Sequence, residues 1–168
     1  MQRLVIGMRN NKGFTLIEIM IVIVIIGITV GFALISFGDF GESRRILFAA
    51  EQLMHTMRLA QQQAILESAT LGLRIDNTGY QVLQLQNNSD WSPISNKGVF
   101  RATYFPQNTF ITLKTTHKTP TGMPAIIITS SGDITPFTLT FSSKSEEKMA
   151  SLIGKQNGDL KFRATGAP

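Results

Sequence analysis

Few residues in this 168-residue chain are spaced for chemistry. The two histidines, His55 and His117, belong to no H-x-x-x-H or H-E-x-x-H pattern, and neither has the adjacent carboxylates that would complete a metal site. Ser130-Ser131-Gly132 lacks the G-x-S-x-G frame of an activated serine and reads as a hairpin turn. Asp39, Glu42 and Asp90 are too scattered for a calcium loop, and Glu146-Glu147, flanked by Lys144 and Lys148, reads as an exposed charged connection. Cysteine is absent, which removes disulfides, thiolate nucleophiles and cysteine zinc sites. No glycine-rich phosphate loop occurs. Catalytic, cofactor-binding and metal residues are therefore all expected to be none. One acid stands apart. Glu18 is the single charge in FTLIEIMIVIVIIGITVGFALISF, residues 14–37. A carboxylate in an apolar medium is costly unless it is paired, so the chemistry Glu18 offers is charge pairing with another protein group.

The element that carries Glu18 must be a helix. About 24 consecutive residues of this kind span roughly 36 Å as a helix, enough to cross a bilayer. A secretory signal would have a shorter apolar core and a small-residue cleavage site, and no A-x-A pattern follows Ser36, so the block is expected to be retained. Arg3, Arg9 and Lys12 precede it with no acid among the first 13 positions; basic residues in that place hold their end on the cytoplasmic side. They also account for most of the basic character. The whole chain has 16 basic and 11 acidic residues; without those three, 13 face 11, a formal charge of +2. Gly27 and Gly31 form G-x-x-x-G, read here as simple tolerance of glycine rather than as a packing motif. Residues 38–42, with two glycines and two acids, mark the membrane exit.

Beyond the exit, Ile46, Ala50, Leu53, Met57, Ala60 and Ala64 fall on one face of a helix over 43–67, with Ser43 placed to cap its start; Glu51, Gln52, His55, Arg58 and Gln62 fall elsewhere. The period then changes. About eight strands are expected in a β domain over 68–168, near 70–76, 80–86, 99–105, 110–116, 124–130, 136–142, 149–155 and 159–164. Turns at Asp76-Asn77-Thr78-Gly79, Ser131-Gly132-Asp133 and Asn157-Gly158 separate several of them, with glycine or asparagine supplying positive φ, and 87–93 reads as a polar loop. Strands that follow a helix in a block imply an α+β fold with antiparallel sheets, sandwich-like.

The junction Lys12-Gly13-Phe14-Thr15-Leu16-Ile17-Glu18 resembles the G-F-T-L-x-E signature of prepilins and of the pseudopilins of type II secretion. The segments AQQQAILESATLGLRI, IIITSSGDITPFTLTF and LIGKQNGDLKF are similar to the GspH/FimT group of that family. The resemblance implies a pilin-like fold, a long N-terminal helix on two β-sheets. It implies that 1–13 is a leader cut by prepilin peptidase between Gly13 and Phe14, that Phe14 is then N-methylated, and that Glu18 pairs with the Phe14 amine of a neighbouring subunit. The implied function is structural: a minor pseudopilin near the tip of a periplasmic pseudopilus, anchored in the inner membrane. Its implied partners are the other pseudopilins, with secreted cargo and the outer-membrane secretin as further candidates. A FimT- or FimU-like minor pilin is the alternative, and an enzyme on an uncut anchor is disfavoured by the missing site. Some FimT-like pilins take up DNA through a basic C-terminus; here Asp159 interrupts Lys155, Lys161 and Arg163 and no stacking aromatic accompanies them, so DNA is disfavoured as a partner.

Overall fold

The chain starts its first helix at a threonine. In the computed structural model, which describes residues 13–86, 90–95, 97–116, 119–120, 122–144 and 146–165 (backbone only over 34–40), α1 spans Leu16–Leu66. Thr15 caps it: the Glu18 amide donates to Thr15 Oγ1 at 3.3 Å and to the Thr15 carbonyl at 3.1 Å. A carboxylate in the first turn also suits the positive end of the helix dipole. At the other end, Ser68 takes a left-handed φ of 50°. The Ala69 amide then reaches the Ala64 carbonyl at 3.0 Å and the Ser68 amide that of Ile65 at 3.3 Å, the two bonds of a Schellman closure.

The helix does not restart at Ser43. It runs through 38–42, so Ser43 lies in its interior and caps nothing. Glycines at 38 and 41 cost about 1 kcal/mol each relative to alanine, which strong helix formers on either side outweigh. By contact density the chain nevertheless forms two units, one up to Phe40 and one from Gly41 onward.

In the second unit the expected apolar face is the buried one: Ile46, Ala50, Leu53, Met57, Ala60 and Ala64 are fully buried. They share one core with Leu71, Leu73, Val82, Ile126 and Ile128 from one sheet and Leu139, Phe141 and Leu152 from the other. The first sheet is built from β1 (Leu71–Ile75), β2 (Gly79–Leu85), β3 (Trp91–Pro93), β4 (Thr103–Tyr104) and β6 (Ile126–Ile128), in the order β3-β2-β1-β6 with β4 also on β2. The second has the order β5-β7-β8-β9: β5 (Phe110–Thr115), β7 (Phe137–Ser142), β8 (Ala150–Gly154) and β9 (Leu160–Ala164). All pairings are antiparallel. Phe105 links the sheets, its ring 5.6 Å from that of Tyr80 on β2 and 5.8 Å from that of Phe141 on β7. The α+β, antiparallel expectation holds.

Two segments differ from the sequence reading. The supposed polar loop over 87–93 ends in β3, which pairs Leu85 with Trp91 and Leu83 with Pro93. The cause is tertiary: Trp91 and Pro124 crowd over Gly72, where an added Cβ would stand 2.8 Å from the Trp91 ring and 2.5 Å from Pro124. Of the strand expected over 99–105, only Thr103–Tyr104 forms, preceded by a 3-10 turn over Gly98–Phe100 whose glycine has φ 71°. The turn glycines also divide by role. Gly132 and Gly158 adopt positive φ, whereas Gly79 does not; there a Cβ would lie 2.3 Å from the Thr103 carbonyl oxygen, so Gly79 is needed for the approach of β4.

Candidate assembly site at the start of the long helix

Every side chain from Phe14 to Val30 is exposed. The window Leu16–Ala33 has a mean hydropathy of 2.7 and no buried residue, so a segment of membrane-spanning length finds no cover within its own unit. A helix apolar on all sides requires apolar surroundings on all sides. Its one internal hydroxyl is already satisfied, since Thr29 Oγ1 donates to the carbonyls of Ile25 at 3.0 Å and Ile26 at 2.9 Å. Nothing lies within 4 Å of a Cβ built on Gly13, Gly27 or Gly31.

Glu18 sits in the first turn of this helix with its amide used by Thr15. Among the described residues its carboxylate accepts no hydrogen bond and forms no ion pair. Gly13, Phe14 and Glu18 lie at one helix end, with Phe14 80% exposed. Arg3, Arg9 and Lys12 lie outside the described residues. The capping role of Thr15 was missed by the sequence reading, although T-x-x-E ahead of an apolar run is its signal.

Elsewhere, His55 is exposed on the polar side of α1, and His117 lies outside the described residues. The described residues hold no group of three or more His, Asp or Glu side chains arranged to hold a metal. Ser130–Gly132 forms the expected turn, with the Gly132 amide donating to the Thr129 carbonyl at 2.9 Å. At the C-terminus Asp159 pairs with Lys155 at 3.8 Å, leaving Lys161 and Arg163 exposed on β9. A further unforeseen residue is Gln61, whose Nε2 donates to the carbonyls of Gly132 at 3.3 Å and Gly158 at 2.8 Å, tying both turns to α1.

An exposed apolar helix, capped by Thr15 and carrying an acid in its first turn, that continues into a two-sheet domain defines the class of pilin-like subunits. Within that class the chain belongs to the family of the type II transport protein GspH, whose model matches residues 49–158. The prokaryotic N-terminal methylation motif matches residues 8–34. The chain is 32% identical over 155 residues to the type II secretion system protein H of Pseudomonas aeruginosa, covering 85% of this chain and 90% of that one. To the protein of the same name from Aeromonas hydrophila it is 23% identical over 154 residues, covering 82% and 84%. Among solved structures, the minor pseudopilin EpsH from the type 2 secretion system of Vibrio cholerae superposes with a TM-score of 0.64 at 22% identity, over 74% of this chain and 99% of that one. The solution structure of E. coli GspH gives 0.60 at 17% identity, over 73% and 89%. These two likenesses establish the pilin-like fold.

Proposed function

We propose that this chain works as a minor pseudopilin, a structural subunit near the tip of the periplasmic pseudopilus of a type II secretion system. The observation that carries the reading is the wholly exposed apolar helix Leu16–Ala33 joined to a domain that buries its own core. Such a helix is stable in a bilayer or among other helices of its kind, the two environments a filament subunit passes between. Arg3, Arg9 and Lys12 hold the leader on the cytoplasmic face of the inner membrane, and the domain stands in the periplasm. Prepilin peptidase cuts between Gly13 and Phe14, and Phe14 receives the methyl group. The amine so created, positive at neutral pH, is the partner Glu18 lacks within the chain; the amine of a neighbouring pseudopilin meets it in the filament. The other pseudopilins are the primary partners, with cargo and the outer-membrane secretin beyond them.

Two measurements test this. Deleting the gene abolishes exoprotein secretion and leaves twitching and transformation intact; normal secretion in the deletion strain overturns the reading. The intact mass of membrane-extracted protein corresponds to residues 14–168 plus one methyl group, whereas a full-length mass contradicts the processing step.

A further inference from the structure

The second sheet has two edges of unlike character. β9 presents Lys161 and Arg163, charges of the kind that discourage a further strand from adding. β5 is six residues long, with no proline, no glycine and one lysine. In the first sheet β3 and β6 have three residues each and β4 two, and β6 is extended by the Ile128–Ile134 bridge. β5 is therefore the longest strand that is paired on one side alone among the described residues. It pairs with β7 from Phe110–Ser142 to Thr115–Phe137, and an antiparallel strand points alternate N–H and C=O groups away from its partner. The Phe110 carbonyl accepts from Ser142 Oγ at 3.1 Å, which leaves residues 111–114 as the open stretch.

The two outward rows that cross this edge hold basic residues and no acid. Ile111 and Leu113 pack against the core, while Thr112 and Lys114 are exposed on the outer face. The register places Lys114 in a cross-strand row with Thr138, Ile153 and Lys161, and Thr112 in a row with Thr140, Ser151 and Arg163. Neither row holds an acid, and the nearby Asp159 is paired with Lys155. Lys114 and Lys161 stand about 14 Å apart across the strands.

We propose that the open edge of β5, over residues 111–114, receives an extended acidic segment of another protein of the same assembly, which adds to the second sheet as a further strand. The proposal rests on the reading of the chain as a filament subunit. A row of open backbone donors and acceptors recognises an extended peptide backbone, and side-chain specificity comes from the outward positions. Here the outward charge at the edge itself is Lys114, and no acid stands in its row or in that of Thr112; Lys161 and Arg163, three strands away on β9, add only to the positive field of the face, so an acidic segment is matched and a basic one repelled. A nucleic acid fits less well, because its phosphates have no use for the strand's amide ladder and the two rows offer no stacking ring.

The test uses the full-length chain in cells that lack the native gene. Complementation is compared for the wild type, Thr112→Glu, Lys114→Glu and, as a charge control at an exposed site away from the second sheet, Lys97→Glu. Thermal unfolding of each purified full chain in detergent checks the fold. In parallel, a photo-crosslinking amino acid replaces Thr112, and the adduct formed in intact cells is identified by mass spectrometry. The two edge variants are expected to lower secretion about tenfold with unchanged melting, while Lys97→Glu secretes normally. The Thr112 adduct is expected on an extended, Asp- or Glu-rich peptide of another component of the secretion machinery, and to disappear with Lys114→Glu. Edge variants that secrete at the wild-type level beside a defective deletion strain overturn the proposal and leave the filament reading intact. A crosslink to nucleic acid, to a basic or helical segment, or to nothing overturns it as well, including where an edge variant fails to fold. Normal secretion in the deletion strain instead removes the filament reading, and the adduct alone then decides the edge.

Discussion

The two halves of α1 share one backbone and differ in burial, each within its own unit. Over Leu16–Ala33 no residue is buried, while six residues between Ile46 and Ala64 are fully buried against the sheets. The first half is isoleucine and valine on every side; the second is a narrow stripe of alanine, leucine and methionine with polar residues around it. Small side chains let a helix lie close on a sheet, and long branched ones on every side suit a medium without direction. Apolar character alone therefore does not tell where a helix belongs. Its angular distribution does, because an apolar surface with no polar face cannot be satisfied by a domain lying on one side of it.

Substitutions on either side of this divide should have very different effects. Phe141, fully buried on β7 and in ring contact with Phe105, is expected to cost about 3–5 kcal/mol when replaced by alanine. Trp91, the single tryptophan, reports that unfolding by fluorescence in the detergent-solubilised chain. In the same assay Ile23→Ala and Glu18→Ala should leave the domain's melting unchanged, while Glu18→Ala should remove the protein from assembled filaments, read by cell fractionation. A clear fall in melting temperature for Ile23→Ala would break the comparison.

A smaller effect is expected where α1 meets the two turns. Gly158 has φ 82°, and a Cβ there would stand 2.6 Å from the Gly132 carbonyl oxygen and 3.0 Å from Gln61 Nε2. Gly158→Ala meets both the backbone penalty and the clash and should cost about 2 kcal/mol. Gln61→Ala removes two hydrogen bonds without adding a clash and should cost about 1 kcal/mol. Urea unfolding of the two variants should keep that order; the reverse would mean that the Gln61 amide, rather than the turn backbone, sets the geometry.

Much of this was legible in the sequence because periodicity and turn chemistry act locally. The buried face from Ile46 to Ala64 and seven of the strand positions follow from spacing alone. Gly13, Phe14 and Glu18 stand together in the sequence as a group because they are near neighbours in the chain, and their proposed roles rest on that motif. What escaped were features set by distant residues. β3 forms because Trp91 and Pro124 meet over Gly72, and Gly79 is required by a strand that arrives 24 residues later, at Thr103. The role of Gln61 depends on turns 71 and 97 residues away, so no local window contains it. Ser43 was misread for the opposite reason: its local cap signal is sound, but a helix already running from Leu16 leaves it no terminus to cap.

The smallest expected effect compares two carboxylates. Glu18 finds no partner for its charge among the described residues, whereas Asp76 finds several within three positions of itself. Asp76 Oδ1 accepts from the Thr78 hydroxyl, from the Thr78 amide at 2.7 Å and from the Gly79 amide at 3.0 Å. The Thr78 hydroxyl is the largest cause holding this carboxyl below its ordinary range; partial burial opposes it, and the two amides and the Arg74 charge assist. A depressed folded-state value means that the ionised group stabilises the fold fully above the unfolded value near pH 4, and that this contribution is lost as the pH falls through the lower folded value. The residue is exposed, so solvent screens most of the effect. Asp76→Asn keeps an oxygen acceptor for the two amides and removes the charge. It should therefore lower the melting temperature by about 1 °C at pH 7, and the gap from the wild type should close as the pH is taken below 4. A gap that persists unchanged at low pH would assign the role of Asp76 to turn geometry rather than charge, and the contrast with Glu18 would then concern shape alone.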